Sequence, residues 1–292
     1  MGALSLTGSK PQQKRRFSPL MPGVTHVPYP YVYRGCTGGP KEQEAFSLGC
    51  ARYIEEKLFK TILPAEEVAA IFVEPIQGEG GFVPAPANFL RELRAICDRH
   101  GILLVADEVQ SGCARTGKWW AIEESGVEPD IVCIAKGIAS GMPLGICMTR
   151  AEIMDWKPGS HASTFGGNPI SIAAALATMK IIEREAMANA ASVGEFMLER
   201  LRGWTKSHAT VGEVRGRGLM IGIEIVKDKS TREPAVELRK PHRDDGIRAR
   251  LGDARMRRDV AAAFASADRE QGGSYGGARH SGGCADLRGE RD

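Results

Sequence analysis

Two side chains in this sequence stand where their chemistry is conspicuous. The run "IVCIAK" (131–136) ends on Lys136, and "ILLVAD" (102–107) ends on Asp107. Each run is short, apolar and rich in branched residues, which predicts a strand buried on both faces. A glycine-rich turn, "GIASG", follows the lysine at once. In a parallel sheet both side chains emerge at the carboxyl edge, so an amine and a carboxylate would share one crevice. The plain structural reading is an ion pair at a sheet edge. The chemical reading is sharper. A lysine in a partly desolvated pocket has its ammonium form disfavoured, which frees the amine to attack a carbonyl and form a Schiff base.

Such a lysine is what pyridoxal 5'-phosphate requires. That cofactor also needs an acid partner for its ring nitrogen, and Asp107 has the right chemistry for it. Two other motifs compete and fail. "GCARTGK" (112–118) fits a phosphate-binding loop in its glycines and lysine, but Trp119 follows where a hydroxyl for magnesium is needed. "GRGLMIG" (216–222) has glycines near dinucleotide spacing, yet it precedes a predicted strand where that fingerprint must follow one. The seven cysteines are odd in number and scattered without a CxxC pair, and the six histidines form no ligand-spaced pair. Neither disulfides nor a metal site is expected.

Positioning these residues takes an alternating chain. "VAAIFVEP" (68–75), "ILLVADEV" (102–109), "IVCIAK" (131–136) and "LGICMT" (144–149) read as strands covered on both faces. Between the first two, Phe89, Leu90, Leu93, Ile96 and Cys97 recur at helical spacing, after a proline start and before Gly101. Helices are also expected at 43–59 and at 168–183, the second with Asn168 as its N-cap. Alternation of this kind predicts an α/β domain with a mainly parallel sheet. After about Ala190 a helix through "VGEFMLERLRGW" and a strand at 219–226 read as the start of a smaller α+β domain. The expected organisation is thus 1–189 for the large domain and 190–239 for the start of the small one. Residues 240–292, rich in Arg, Gly, Ala and Asp, are expected to be largely disordered.

Composition narrows the class. Of 292 residues, 42% are hydrophobic and 26% charged, the balance of a soluble globular protein, and the net charge is only +3. No basic cluster accompanies a nucleic-acid motif, so no nucleic-acid partner is expected. No apolar run approaches the roughly 18 residues that span a bilayer, and the cytoplasm is the expected location.

Five motifs, in order, carry a resemblance: "EPIQGEGGF" (74–82), "LLVADEVQSGCARTGKWWAIE" (103–123), "DIVCIAKGIASGMPLG" (130–145), "HASTFGGNPISIAAALA" (161–177) and "VRGRGLMIGIE" (214–224). From Met1 to about Arg239 the chain resembles the class III (subgroup II) pyridoxal-phosphate aminotransferases, the 4-aminobutyrate, acetylornithine and ornithine group. The resemblance implies the fold type I of pyridoxal-phosphate-dependent transferases and a homodimer. It implies an amino group moved from an amino acid to 2-oxoglutarate through a Lys136 Schiff base. Asp107 would bind the ring nitrogen, Val109 would lie beneath the ring, and Gln110 would bond the phenolic oxygen. Thr164 would reach the phosphate of the neighbouring subunit's cofactor. Glu79 would be the switchable carboxylate that pairs with an arginine until a substrate carboxylate competes. A racemase on the same scaffold is the alternative within the class.

The resemblance also has gaps. "MGALSLTGSK" (1–10) matches a point well inside the family's sequences, so the phosphate loop and N-terminal arm that precede it there have no counterpart here. After Arg239 the expected arginine followed by "PPL" is not recognisable, as a shifted reading frame would produce. These departures lead to the expectation of exposed apolar faces, low stability and weak or absent activity, an inactive fragment being the alternative from another class.

Overall fold

The computed structural model describes residues 1–236, so the stretch 240–292 expected to be disordered lies outside the described residues. The first long helix, α1 (Pro40–Tyr53), opens with its proline at the first turn, where a missing N–H costs nothing. Strand β1 (Ala70–Val73) follows, then a small hairpin of β2 (Ile76–Gln77) and β3 (Val83–Pro84). Helix α2 (Ala87–His100) ends on Gly101, whose φ of 67° gives the left-handed turn that closes a helix. The five residues expected to face inward from it, Phe89, Leu90, Leu93, Ile96 and Cys97, are all buried. They pack with Ala51, Ile54 and Leu58 of the α1 region and Leu104 of the sheet to form the main core.

Strands β4 (Leu103–Asp107), β5 (Ile131–Ile134) and β6 (Ile146–Thr149) complete the principal sheet with β1, in the order β1-β4-β5-β6. The first two pairings are parallel and the last is antiparallel. Helix α3 (Pro169–Ile181) begins as expected on Asn168, whose side chain accepts the Ser171 N–H at 2.9 Å. Helix α4 (Met187–Arg202) continues from it, and the antiparallel pair β7 (Val211–Arg217) and β8 (Met220–Ile225) closes the described chain. A second core joins α4 to this pair through Met197, Leu198, Leu201, Trp204, Val211 and Ile225.

Two expectations need correction. β6 is not covered on both faces: Ile146 and Met148 are exposed because β6 is the antiparallel edge of the sheet. β1 is the opposite edge, and its Phe72 is half exposed for the same reason. Helix α3 is also less covered than its composition suggests. Only Ser171, Ala175 and the following Ile182 are buried, while Ile170, Leu176 and Ile181 face outward. Among the described residues no helix is long and apolar enough to cross a membrane.

Candidate active site

The parallel pairing of β4 and β5 sets Asp107 opposite Cys133 at the carboxyl edge of the sheet. Both chains then turn tightly. After β4 the Val109 N–H bonds back to Asp107 Oδ1 at 3.1 Å, which turns Val109 and Gln110 across the edge. After β5 the chain enters a 3₁₀ turn, Lys136–Ala139, whose Ile138 and Ala139 pack against Ala175 of α3. Lys136 Nζ donates to Gln110 Oε1 at 2.7 Å. A cavity of about 200 Å³ opens here, lined by Phe82, Val109, Gln110, Arg115 and Lys136.

The backbone around this cavity is strained. Lys136 itself has a φ of 48°, and Phe82, Cys113, Ala114 and Ser140 also lie in the left-handed region at 52°, 57°, 64° and 45°. Each such residue costs about 1–3 kcal/mol and persists only where its surroundings over-determine it. Lys136 and Phe82 line the cavity itself, and Cys113 and Ala114 lie between its lining residues Gly112 and Arg115, so this backbone is held for geometry rather than for stability. Gly78 shows the same tightness, since a Cβ at that position would sit 2.5 Å from Gln110 Nε2. A larger residue there would push the Gln110 amide aside, and with it the acceptor of the Lys136 amine.

Two acidic side chains near the site are taken out of water. Glu74 accepts the Gly78 N–H at 2.6 Å. Burial holds its carboxyl above the usual range against that bond, with the charge of Asp107 adding to the rise and that of Lys136 opposing it. Glu108, next to Asp107, is fully buried. Its carboxylate accepts the Ile122 N–H at 2.8 Å and the Ser111 hydroxyl, and burial raises its proton affinity despite these bonds. Glu108 therefore holds the loop behind the site, a role that nothing in "VADEV" distinguishes from that of its neighbour.

The sequence-derived residues fall into three groups. Lys136, Gln110 and Val109 share the cavity, with Asp107 at the base of the same turn. Glu79 lies outside it, half exposed, and its partner among the described residues is Lys10, not an arginine. The Lys10 hydrogen bond and charge hold its carboxyl below the usual range. Thr164 is exposed and does not line the cavity. Arg115 and Phe82 were not anticipated. Arg115 sits in "GCARTGK", a segment that lacks the hydroxyl of a phosphate loop, and Phe82 closes the glycine-rich loop, so only the folded chain brings them to the lysine.

This donor set fits a pyridoxal cofactor. A strained turn presents the amine, a carboxylate stands at the same sheet edge, an apolar Val109 forms a wall, and Arg115 adds a second positive charge.

A family model for class-III aminotransferases matches residues 1–272, past the point at which divergence was expected. The chain belongs to this family of enzymes, whose cofactor is pyridoxal 5'-phosphate. It is 46% identical over 237 residues to an alanine/serine racemase of Pyrococcus horikoshii, covering 80% of this chain and 50% of that one. It is 40% identical over 236 residues to a diaminobutyrate–2-oxoglutarate aminotransferase of Haemophilus influenzae, covering 80% and 51%. An acetylornithine aminotransferase of Corynebacterium efficiens shares 41% over 239 residues, covering 81% and 52%. Among solved structures, an amine transaminase from an uncultivated Pseudomonas species in its PLP-bound form superposes with a TM-score of 0.76 at 34% identity, covering 91% of this chain and 66% of that one. The fold is that of the PLP-dependent transaminases, fold type I. The chain spans about half the length of the curated relatives it matches.

Proposed function

We propose that this chain forms the lysine half of an aminotransferase site. Its donor would be an amino acid with a distal amine, of the 4-aminobutyrate or acetylornithine/ornithine kind, and its acceptor 2-oxoglutarate. The observation that carries this reading is the strained Lys136 turn, with its amine on Gln110 and Asp107 at the same edge. When bound, pyridoxal 5'-phosphate supplies the electron sink that lets a proton leave the substrate's α carbon. Lys136 would hold the cofactor through its aldehyde carbon, and its amine would carry the proton at the substrate's α carbon. Asp107 would hold a proton on the ring nitrogen, Val109 would contact the ring face, and Gln110 would orient the phenolic oxygen. Glu79 would leave Lys10 or an arginine when a substrate carboxylate demands the space, and Thr164 would serve the site of a second copy.

The test is chemical. Incubation with pyridoxal 5'-phosphate, reduction with borohydride and peptide mass spectrometry should place a pyridoxyl label on Lys136, and Lys136→Ala should lose it. A label on other lysines, with none on Lys136, would sink the proposal and favour the inactive fragment.

A second reading is favoured by the similarity to an alanine/serine racemase. The same lysine and aspartate serve racemisation, which needs no 2-oxo acid. Loss of optical activity in an amino acid without added 2-oxoglutarate would select it; amino transfer that depends on 2-oxoglutarate would select the first. Association into a homodimer is supported by the apolar side chains that α3 leaves exposed.

A further inference from the structure

No cysteine thiol has a chemical role in the site described above, yet two of the described cysteines face each other beside it. Cys133 on β5 and Cys147 on β6 are direct partners in the antiparallel register. The type of pairing follows from the other edge of β5. The Cys133 carbonyl accepts the Glu108 N–H at 3.0 Å, so its backbone groups point toward β4 and away from β6. Cys133 and Cys147 are therefore a non-hydrogen-bonded pair, the kind whose Cα atoms approach to about 4.5 Å with side chains close together. That spacing lies inside the range of about 4.4–6.8 Å over which a disulfide can close. None of the other described cysteines stands opposite another in a strand register: Cys50 and Cys97 are buried in the core, and Cys36 and Cys113 lie in loops.

We propose that Cys133 and Cys147 are a redox-reversible dithiol site, closed by a low-molecular-weight disulfide such as glutathione disulfide and reopened by thiols. Cys147 is exposed on the edge strand, so it meets the oxidant first. Its thiolate attacks one sulfur of glutathione disulfide, forming a mixed disulfide and expelling one glutathione thiolate. Cys133 then attacks the Cys147 sulfur, forming the protein disulfide and expelling the second glutathione. Two protein thiols are oxidised by two electrons, one glutathione disulfide is reduced to two thiols, and the two thiol protons leave with them. Burial raises the Cys133 thiol, with Asp107 and Cys147 adding to the rise, which leaves first attack on the oxidant to Cys147; the second step depends on the direct pairing of the two residues across the strands. A bridge exposed on an edge strand belongs to the labile, reducible kind. It would tie β5 to β6 three residues before Lys136.

Trypsin separates the two cysteines by cutting after Lys136, so the bridge can be read directly. The full chain is incubated with excess glutathione disulfide, alkylated and digested without reduction. The expected product joins peptides 119–136 and 137–150 through Cys133 and Cys147, two hydrogens lighter than their sum, and dithiothreitol abolishes it. Cys147→Ser, at an exposed position that leaves the fold intact, should lose the product. Cys133→Ser should leave glutathione stably bound to Cys147. The proposal is overturned if wild-type Cys147 keeps its glutathione, bonds to another cysteine or a second chain, or is recovered fully alkylated.

Discussion

At Lys136 the chain spends stability on placement. A lysine at φ 48° gains nothing for the fold, and the turn that carries it is fixed by Ile138 and Ala139, buried against Ala175 of α3. The loop after β4, on the other side of the site, rests on the fully buried Glu108. With its side chain removed from water, its two acceptor atoms bind the Ile122 N–H and the Ser111 hydroxyl. Replacing it with leucine strands both donors in a buried space, a loss of about 1–3 kcal/mol for each unsatisfied group. Glu108→Gln should cost much less, because its amide oxygen still accepts the Ile122 N–H and its NH₂ can donate to the serine oxygen. Urea denaturation separates them; equal midpoints for the two variants would show that these bonds do not matter. Lys136 and Asp107 were legible in the sequence because a charged residue closing an apolar strand is chemically anomalous. Glu108 and Arg115 were not, since an acid after a strand and a loop arginine are ordinary until the fold places one in the interior and the other in the cavity.

Elements were legible where composition and periodicity agree. The stripe of Phe89, Leu90, Leu93, Ile96 and Cys97 can face only one way on a helix, and α2 buries all of it. The strands were harder to read, because β6 carries the same apolar residues as a central strand while lying at the edge. What joins these elements at the end of the sheet opposite the site is Asp130. Its carboxylate accepts the Leu104 N–H of β4 at 2.8 Å, Arg94 of α2 at 2.7 Å and Arg150 after β6 at 3.0 Å. Burial alone would raise its carboxyl, but the Leu104 N–H and the two arginines outweigh it and hold it below the ordinary value of 3.8. Between that value and the lower folded one, the unfolded chain binds more protons than the folded chain, so acid favours unfolding there. The stability from Asp130 is complete above the ordinary value and is lost as pH falls through the folded one. Asp130→Asn should therefore lower the urea midpoint at pH 7, with a deficit that shrinks by pH 3. A deficit of the same size at both pH values would rule out this titration.

Across the whole molecule, the main feature is apolar surface left uncovered by the described residues. Phe165 is 81% exposed, Ile170 69% and Leu176 57%, all on or just before α3. A helix that is apolar all round normally belongs in an interior, because each apolar side chain left in water forgoes about 1.5–3 kcal/mol of burial. The sequence showed that α3 is apolar but could not show which side the rest of the chain covers. In the structure that side is a single stripe through Ser171 and Ala175. The bare side should drive association with a second copy, so light scattering should give a mass that rises with protein concentration. Replacing Ile170 and Leu176 together by lysine should shift the chain toward monomer. The far-ultraviolet circular dichroism should stay unchanged, because both side chains point away from the core. A wild-type chain that stays monomeric at every concentration, or a double variant that associates equally well, would show that this face is tolerated in water and that its apolar residues serve some other contact.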